Sequence, residues 1–275
     1  MYSMSELENN RLIQTFAKLR QTGKKTLIPF LTAGYPDLPT TEALLIELEK
    51  QGVQICELGI PFSDPIADGP TIQTSYTEAL SKGITSKKIF DMVEHYRQQD
   101  GKLALVAMVS YSIVFKRGVE SYLSEAARVG FDGIIIPDLP LEEAAELEPT
   151  ARQHGLANVM LIAPTTPPER RIEIARHSRG FIYYISVAGI TGERDRLPEE
   201  TIQAVAQLRE HTDTPICIGF GISNAETVKH VCQVADGAIV GSAIIHRITD
   251  AKDSPQDELV RKISQFVNEL IEPIK

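Results

Sequence analysis

Hydrophobic positions along the chain follow two alternating patterns. Short, nearly unbroken apolar runs occur at residues 26–34 (TLIPFLTAG), 53–61 (VQICELGIP), 102–109 (KLALVAMV), 131–140 (FDGIIIPDLP), 157–164 (ANVMLIAP), 180–187 (GFIYYISV), 214–223 (TPICIGFGIS) and 236–244 (DGAIVGSAI). Between them lie stretches such as PTTEALLIELEKQG, VESYLSEAARVG, LEEAAELEPTARQHG, PEETIQAVAQLREHT and NAETVKHVCQV, whose apolar residues return every three or four positions. The first pattern predicts strands buried on both faces, and the second predicts the helices that cover them. Eight such units in succession predict an α/β protein, a (β/α)8 TIM barrel, as one domain over residues 1–275. A doubly wound open sheet is the competing architecture, but no G-x-G-x-x-G turn follows the first strand. Residues 5–21 predict an extra N-terminal helix, and SPQDELVRKISQFVNELI the closing one.

Composition narrows the function. The 275 residues are 43% hydrophobic, enough for a large core, and the net charge of −9 argues against binding along a nucleic-acid backbone. Cys56, Cys217 and Cys232 are too few and too scattered for a disulfide framework or a CxxC metal site, so they predict small core side chains. The first 25 residues lack the apolar stretch of a secretory signal, and no segment reaches the ~18 apolar residues of a membrane span. The expected location is the cytoplasm.

In a barrel of this kind the active site lies at the C-terminal ends of the strands. The second run continues into CELGIPFSDPIADGPTIQ, which holds Glu57, Asp64 and Asp68 among three prolines. Alternation along the strand puts Cys56, Leu58 and Ile60 on the helix side, leaving Glu57 pointing into the barrel. A carboxyl there is desolvated, its pKa rises, and it can serve as a general acid. The competing reading is a Glu buried against a basic neighbour, for which only Lys102 offers itself. Asp64 and Asp68 read first as turn and N-cap residues before the helix TIQTSYTEALSKG. The stiff loop, however, can aim Asp68 over the barrel mouth.

A second cluster follows the last three strands. Gly192, Gly221, Gly241 and Ser242 stand where backbone N–H groups and a hydroxyl could hold a phosphate. Residues 189–198, charged and short of apolar anchors, read as a mobile lid or as a plain surface loop. The six histidines show no paired ligand spacing, so no metal is expected. Lysines are absent from the strand ends where an imine would form, and no Ser nucleophile elbow occurs.

The acidic stretch closely resembles the signature of the tryptophan synthase alpha-subunit family. So do IPFLTAGYPD (28–37), IIIPDLPLEE (134–143), APTTPPER (163–170), SVAGITG (186–192), IGFGIS (218–223) and IVGSAI (239–244), in the family's order. The resemblance implies retro-aldol cleavage of indole-3-glycerol phosphate to indole and D-glyceraldehyde 3-phosphate. Glu57 would be the acid–base group, and Asp68 would accept a hydrogen bond from the indole N–H. Gly192, Gly221, Gly241 and Ser242 would hold the phosphate. Phe30, Tyr183 and Phe220 would line the indole pocket, with Thr191 on the lid. It further implies an alpha2-beta2 heterotetramer with a pyridoxal-phosphate-dependent beta subunit that receives the indole, while this chain needs no cofactor. Pro61, Asp64, Asp138 and Pro140 would face that partner.

The chain departs from the family pattern where Ser110, Ser112 and Ile113 replace the usual Tyr-x-Asn-Pro segment, and where Val187 replaces an Arg common in the lid. Rival readings are a stand-alone lyase that releases free indole, a sugar-phosphate isomerase barrel, and a non-catalytic partner of a beta-like subunit.

Overall fold

The fold is described from a computed structural model, which covers residues 7, 9–65, 68–186, 197–219 and 221–275. Its parallel strands are β1 (Thr26–Thr32), β2 (Ile55–Gly59), β3 (Ala104–Met108), β4 (Gly133–Ile135), β5 (Ala157–Ile162), β6 (Ile182–Ile185), β7 (Ile216–Gly219) and β8 (Gly237–Val240). They pair in sequence order, and β8 pairs back onto β1 to close a barrel. Every predicted apolar run holds one of these strands, because strands buried on both faces need apolar side chains on both.

The helices are α1 (Arg11–Thr22), α2 (Leu38–Lys50), α3 (Pro70–Ser81), α4 (Ser86–Gln98), α5 (Tyr111–Arg117) and α6 (Val119–Val129). They continue with α7 (Leu141–Gln153), α8 (Pro168–His177), α9 (Glu199–Arg209), α10 (Ala225–Val234), α11 (Ser242–Ala251) and α12 (Gln256–Ile271). Two of them differ from the sequence expectation. The N-terminal helix, expected over residues 5–21, runs over Arg11–Thr22, where the Asn10 side chain caps it by accepting from Leu12 N and Ile13 N; residues 5, 6 and 8 lie outside the described residues. The segment after β3, where Ser110, Ser112 and Ile113 depart from the family pattern and no helix is expected, forms α5, with Ser110 at its N-cap.

α1 closes the N-terminal end of the barrel. Asn10 Nδ2 donates to the backbone oxygens of Asp132 and Gly155, both at 2.7 Å, just before β4 and β5. Leu12, fully buried, reaches up between the strand ends. A side chain at Gly180, where φ is +81°, would lie 2.6 Å from Leu12 Cδ2, so glycine is needed there twice over. The rings of Phe16 and Phe181 meet with centroids 5.7 Å apart.

Candidate active site

At the other end the strand alternation works as the sequence predicts. Glu57 is fully buried on the inner face of β2, in register with Phe30 of β1 and Val106 of β3. Gly59, two residues on and on the same face, leaves room that other side chains fill: a Cβ there would lie 2.5 Å from both Phe30 Cζ and the Tyr76 hydroxyl. On the far side Tyr183, from β6, presses its hydroxyl against Gly219 in the same way.

Neither oxygen of the Glu57 carboxyl has a hydrogen-bond partner among the described residues. The alternative of a buried ion pair therefore fails, and Lys102 instead pairs with Asp100 at 3.1 Å on the surface. Burial, reinforced by the charge of Asp68, pushes the Glu57 pKa up to about 8. A carboxyl in that state is protonated at neutral pH. Tyr76 and Tyr183 are held well above their usual range, first by their own burial and then by the charges of both acids. The two hydroxyls thus lie in the electrostatic reach of Glu57 and Asp68 together.

Asp68 does not cap α3. The N-cap position belongs to Gly69, with no side-chain cap bond, and Pro70 opens the helix. The loop is instead fastened by Gln73, whose Nε2 donates to the backbone oxygens of Asp68 (2.8 Å) and Pro65 (3.3 Å). α3 is tied down in turn by a buried hydrogen bond between Ser75 and Thr32 of β1, at 2.6 Å. The Asp68 carboxyl is left free of the turn work first expected of it, and it takes no hydrogen bond from a described residue. Burial and the nearby Asp138 charge push its pKa up to about 6. It is mostly ionised at pH 7, while Glu57 is mostly neutral.

Asp68 faces a cleft at the ends of β2, β3 and β4, shared with Ile60, Phe62, Tyr76, Met108 and Ser110. Phe30 and Tyr183, predicted to line the indole pocket, are not in its wall but lie deeper, beside Glu57. The sequence reading missed Tyr76, which connects the two levels. Its only signal was a place on the buried stripe Ile72–Tyr76–Ala79 of α3, which any core tyrosine would share.

Gly221 and Gly241 follow the ends of the adjacent strands β7 and β8, and Ser242 begins α11. The first helical hydrogen bonds there run from Ile244 N and Ile245 N to Gly241 O, so the N–H groups of Ser242 and Ala243 have no acceptor within the helix. Gly221 has φ +74°, a conformation natural to glycine. Gly192, Thr191, Phe220 and Val187 lie outside the described residues, as do residues 189–196 of the segment read as a lid or a surface loop.

Of the residues expected to face a partner, Asp64, Asp138 and Pro140 are exposed, whereas Pro61 is buried within the chain. Asp138 also has an internal role. Its carboxylate accepts from Ser110 Oγ at 2.7 Å and from Tyr111 N at 2.8 Å, and so holds the start of α5.

The family model for the tryptophan synthase alpha chain matches residues 16–274. The tryptophan synthase alpha chain of Rhodopirellula baltica is 46% identical over 238 residues, 86% of each chain. That of Chloroflexus aggregans is 44% identical over 262 residues, 95% of this chain and 97% of the relative. The crystal structure of tryptophan synthase subunit alpha from Legionella pneumophila superposes with a TM-score of 0.87 at 33% identity, over 96% of this chain and 98% of the other. An eight-stranded barrel with a buried acid on β2, matched along nearly its whole length to such relatives, belongs to the tryptophan synthase alpha chain family.

Proposed function

We propose that the chain performs its family's reaction, cleaving indole-3-glycerol phosphate to indole and glyceraldehyde 3-phosphate, with Glu57 and Asp68 as the reacting pair. The observation that carries the assignment is the contrast between the two acids: one fully buried and protonated at neutral pH, its neighbour ionised. Glu57 gives its proton to indole C3 while Asp68 accepts the hydrogen bond of the indole N–H and stabilises the indolenine cation. The glycerol hydroxyl on the carbon attached to C3 then loses its proton to the Glu57 carboxylate. The C–C bond breaks as that carbon becomes the aldehyde, and its electron pair returns to the indole ring. The proton lent at C3 is recovered from the hydroxyl, so the step is balanced.

The phosphate is assigned to Gly221, Gly241 and Ser242, with Gly192 from the neighbouring loop. N–H groups with no acceptor within the helix at the start of α11, and the positive end of its dipole, favour an anion there. Phe30, Tyr183 and Phe220 are assigned to the indole pocket, with Thr191 on its lid. Glu57 is sealed from solvent, so substrate must part the side chains above it to be protonated.

The family works with a beta subunit. We place that partner over Asp64, Asp138 and Pro140, in an alpha2-beta2 assembly whose pyridoxal phosphate belongs to the beta chain, and we place the complex in the cytoplasm. Among the described residues no helix is long and apolar enough to cross a membrane.

The test is indole release from indole-3-glycerol phosphate by the pure chain, alone and with a beta subunit. Glu57→Gln is expected to lower the rate by about 100-fold or more, the usual weight of a general acid. Asp68→Asn is expected to lower it less, while leaving phosphate-dependent binding in place. Full activity of Glu57→Gln would refute the assignment.

A further inference from the structure

Tyr76 belongs to a helix, yet it reaches over the rim of the barrel into the site. We propose that it positions Asp68: when the ring of the substrate is bound, the Tyr76 hydroxyl donates a hydrogen bond to the Asp68 carboxylate and holds it turned to the indole N–H. This role rests on the assignment of Asp68 to that N–H.

The placement of the hydroxyl is fixed from both sides. Tyr76 is 3% exposed, and its hydroxyl would lie 2.5 Å from a Cβ at Gly59. Gly59 shares the inner face of β2 with Glu57, two residues and about 7 Å along the strand. The same tyrosine lines the cleft together with Asp68. Its helix, α3, is fastened to β1 through Ser75 and Thr32, and to α11 through Glu78, whose two oxygens each accept from Lys252 Nζ at 2.8 Å.

The cleft offers Asp68 few other donors. Apart from the acids, Tyr76 and Ser110 are the only side chains in its wall with an O–H or N–H to give, among the described residues. The Ser110 hydroxyl is already given to Asp138, at 2.7 Å. Asp64 and Asp138 share the cleft and Glu57 lies below it, so no cation balances Asp68; the remaining phenol, Tyr183, stands across the barrel against Gly219.

Charge decides which acid the hydroxyl serves. A donor bonds more strongly to an ionised carboxylate than to a neutral carboxyl, and at pH 7 Asp68 is mostly ionised while Glu57 is mostly neutral. After its own burial, Tyr76 feels the charge of Asp68 more than that of Glu57, whereas Tyr183 feels them in the reverse order. Burial also keeps Tyr76 protonated, and so a donor, well past neutral pH. Gln73 grips only the backbone of Asp68, so the carboxyl can turn onto the hydroxyl about its own side-chain bonds. One carboxylate oxygen then takes the hydroxyl and the other the indole N–H.

The carboxyl carbon of Asp68 gives the test. The chain is labelled with γ-13C aspartate and saturated with indole and inorganic phosphate, and the Asp68 resonance, identified by its loss in Asp68→Asn, is followed against pH. A hydrogen bond to the ionised form lowers a carboxyl pKa. Tyr76→Phe removes one oxygen and keeps the ring, and it is expected to raise the Asp68 pKa by about one pH unit. In turnover the variant is expected to lower kcat about tenfold with KM little changed, and to move the acidic limb of kcat to higher pH. An unchanged or lowered Asp68 pKa in Tyr76→Phe would overturn the proposal, whatever the rate of indole release, as would an Asp68 resonance that indole leaves unmoved. A raised pKa in a chain that releases no indole would uphold the bond from Tyr76 and refute the reaction instead.

Discussion

Glu57, within β2, and Asp68, in the loop that follows it, are both acids, yet only one of them can be read from its position. Strand alternation has a period of two, so the apolar residues on either side of Glu57 are enough to fix its direction. Asp68 sits in Asp-Gly-Pro, a sequence that serves turns and caps equally well, and only the Gln73 clamp and the uncapped start of α3 separate it from that role. Tyr76 is illegible for the opposite reason, because a helix stripe does not distinguish a core tyrosine from one beside a reacting acid. The two shifted acids predict a bell-shaped dependence of kcat/KM on pH. Activity should fall below about 6, as Asp68 takes up a proton, and above about 8, as Glu57 loses one, both read as apparent values of a coupled pair. The same shift predicts a stability effect. A carboxyl whose folded pKa is raised holds its proton better when folded, so its contribution is present at low pH and is lost as pH rises toward about 8. Glu57→Gln should therefore raise the melting temperature at pH 9 and change it little at pH 5, as measured by circular dichroism.

At the scale of elements, α5 shows how one short side chain can hold a helix start. Ser110 stands where the sequence resemblance implies a tyrosine, and its hydroxyl both caps α5 and donates to Asp138. The patterning of residues 108–118 predicts no helix because α5 is only seven residues long, too short for a periodic stripe. Asp138→Asn removes the charge that adds to burial in raising Asp68. The acidic limb of the pH profile should move to lower pH in this variant, by less at high salt because Asp138 is exposed. The substrate phosphate also titrates near pH 6, but its pKa does not follow the mutation, so the shift isolates Asp68. At the opposite pole, Asn10→Ala removes a helix cap and two hydrogen bonds to loop carbonyls together. A loss of about 2 kcal/mol or more is expected in urea unfolding.

The barrel as a whole is the most legible feature, since eight apolar runs recur with helical spacing between them and all eight hold strands in sequence order. The role of the N-terminal helix is not legible. Periodicity identifies a helix but not its destination, and only Leu12, seated against Gly133 and Gly180, reveals that it is a stopper. Leu12→Ala should cost about 2–5 kcal/mol, because the strand ends around it cannot collapse into the space. Because α1 plugs one end, the barrel is a one-ended vessel. Whatever enters at the strands' C-terminal rim must leave by that rim, and the two products of a single cleavage have to queue for it. A protein seated on that rim would meet what leaves without having to compete with a rear exit.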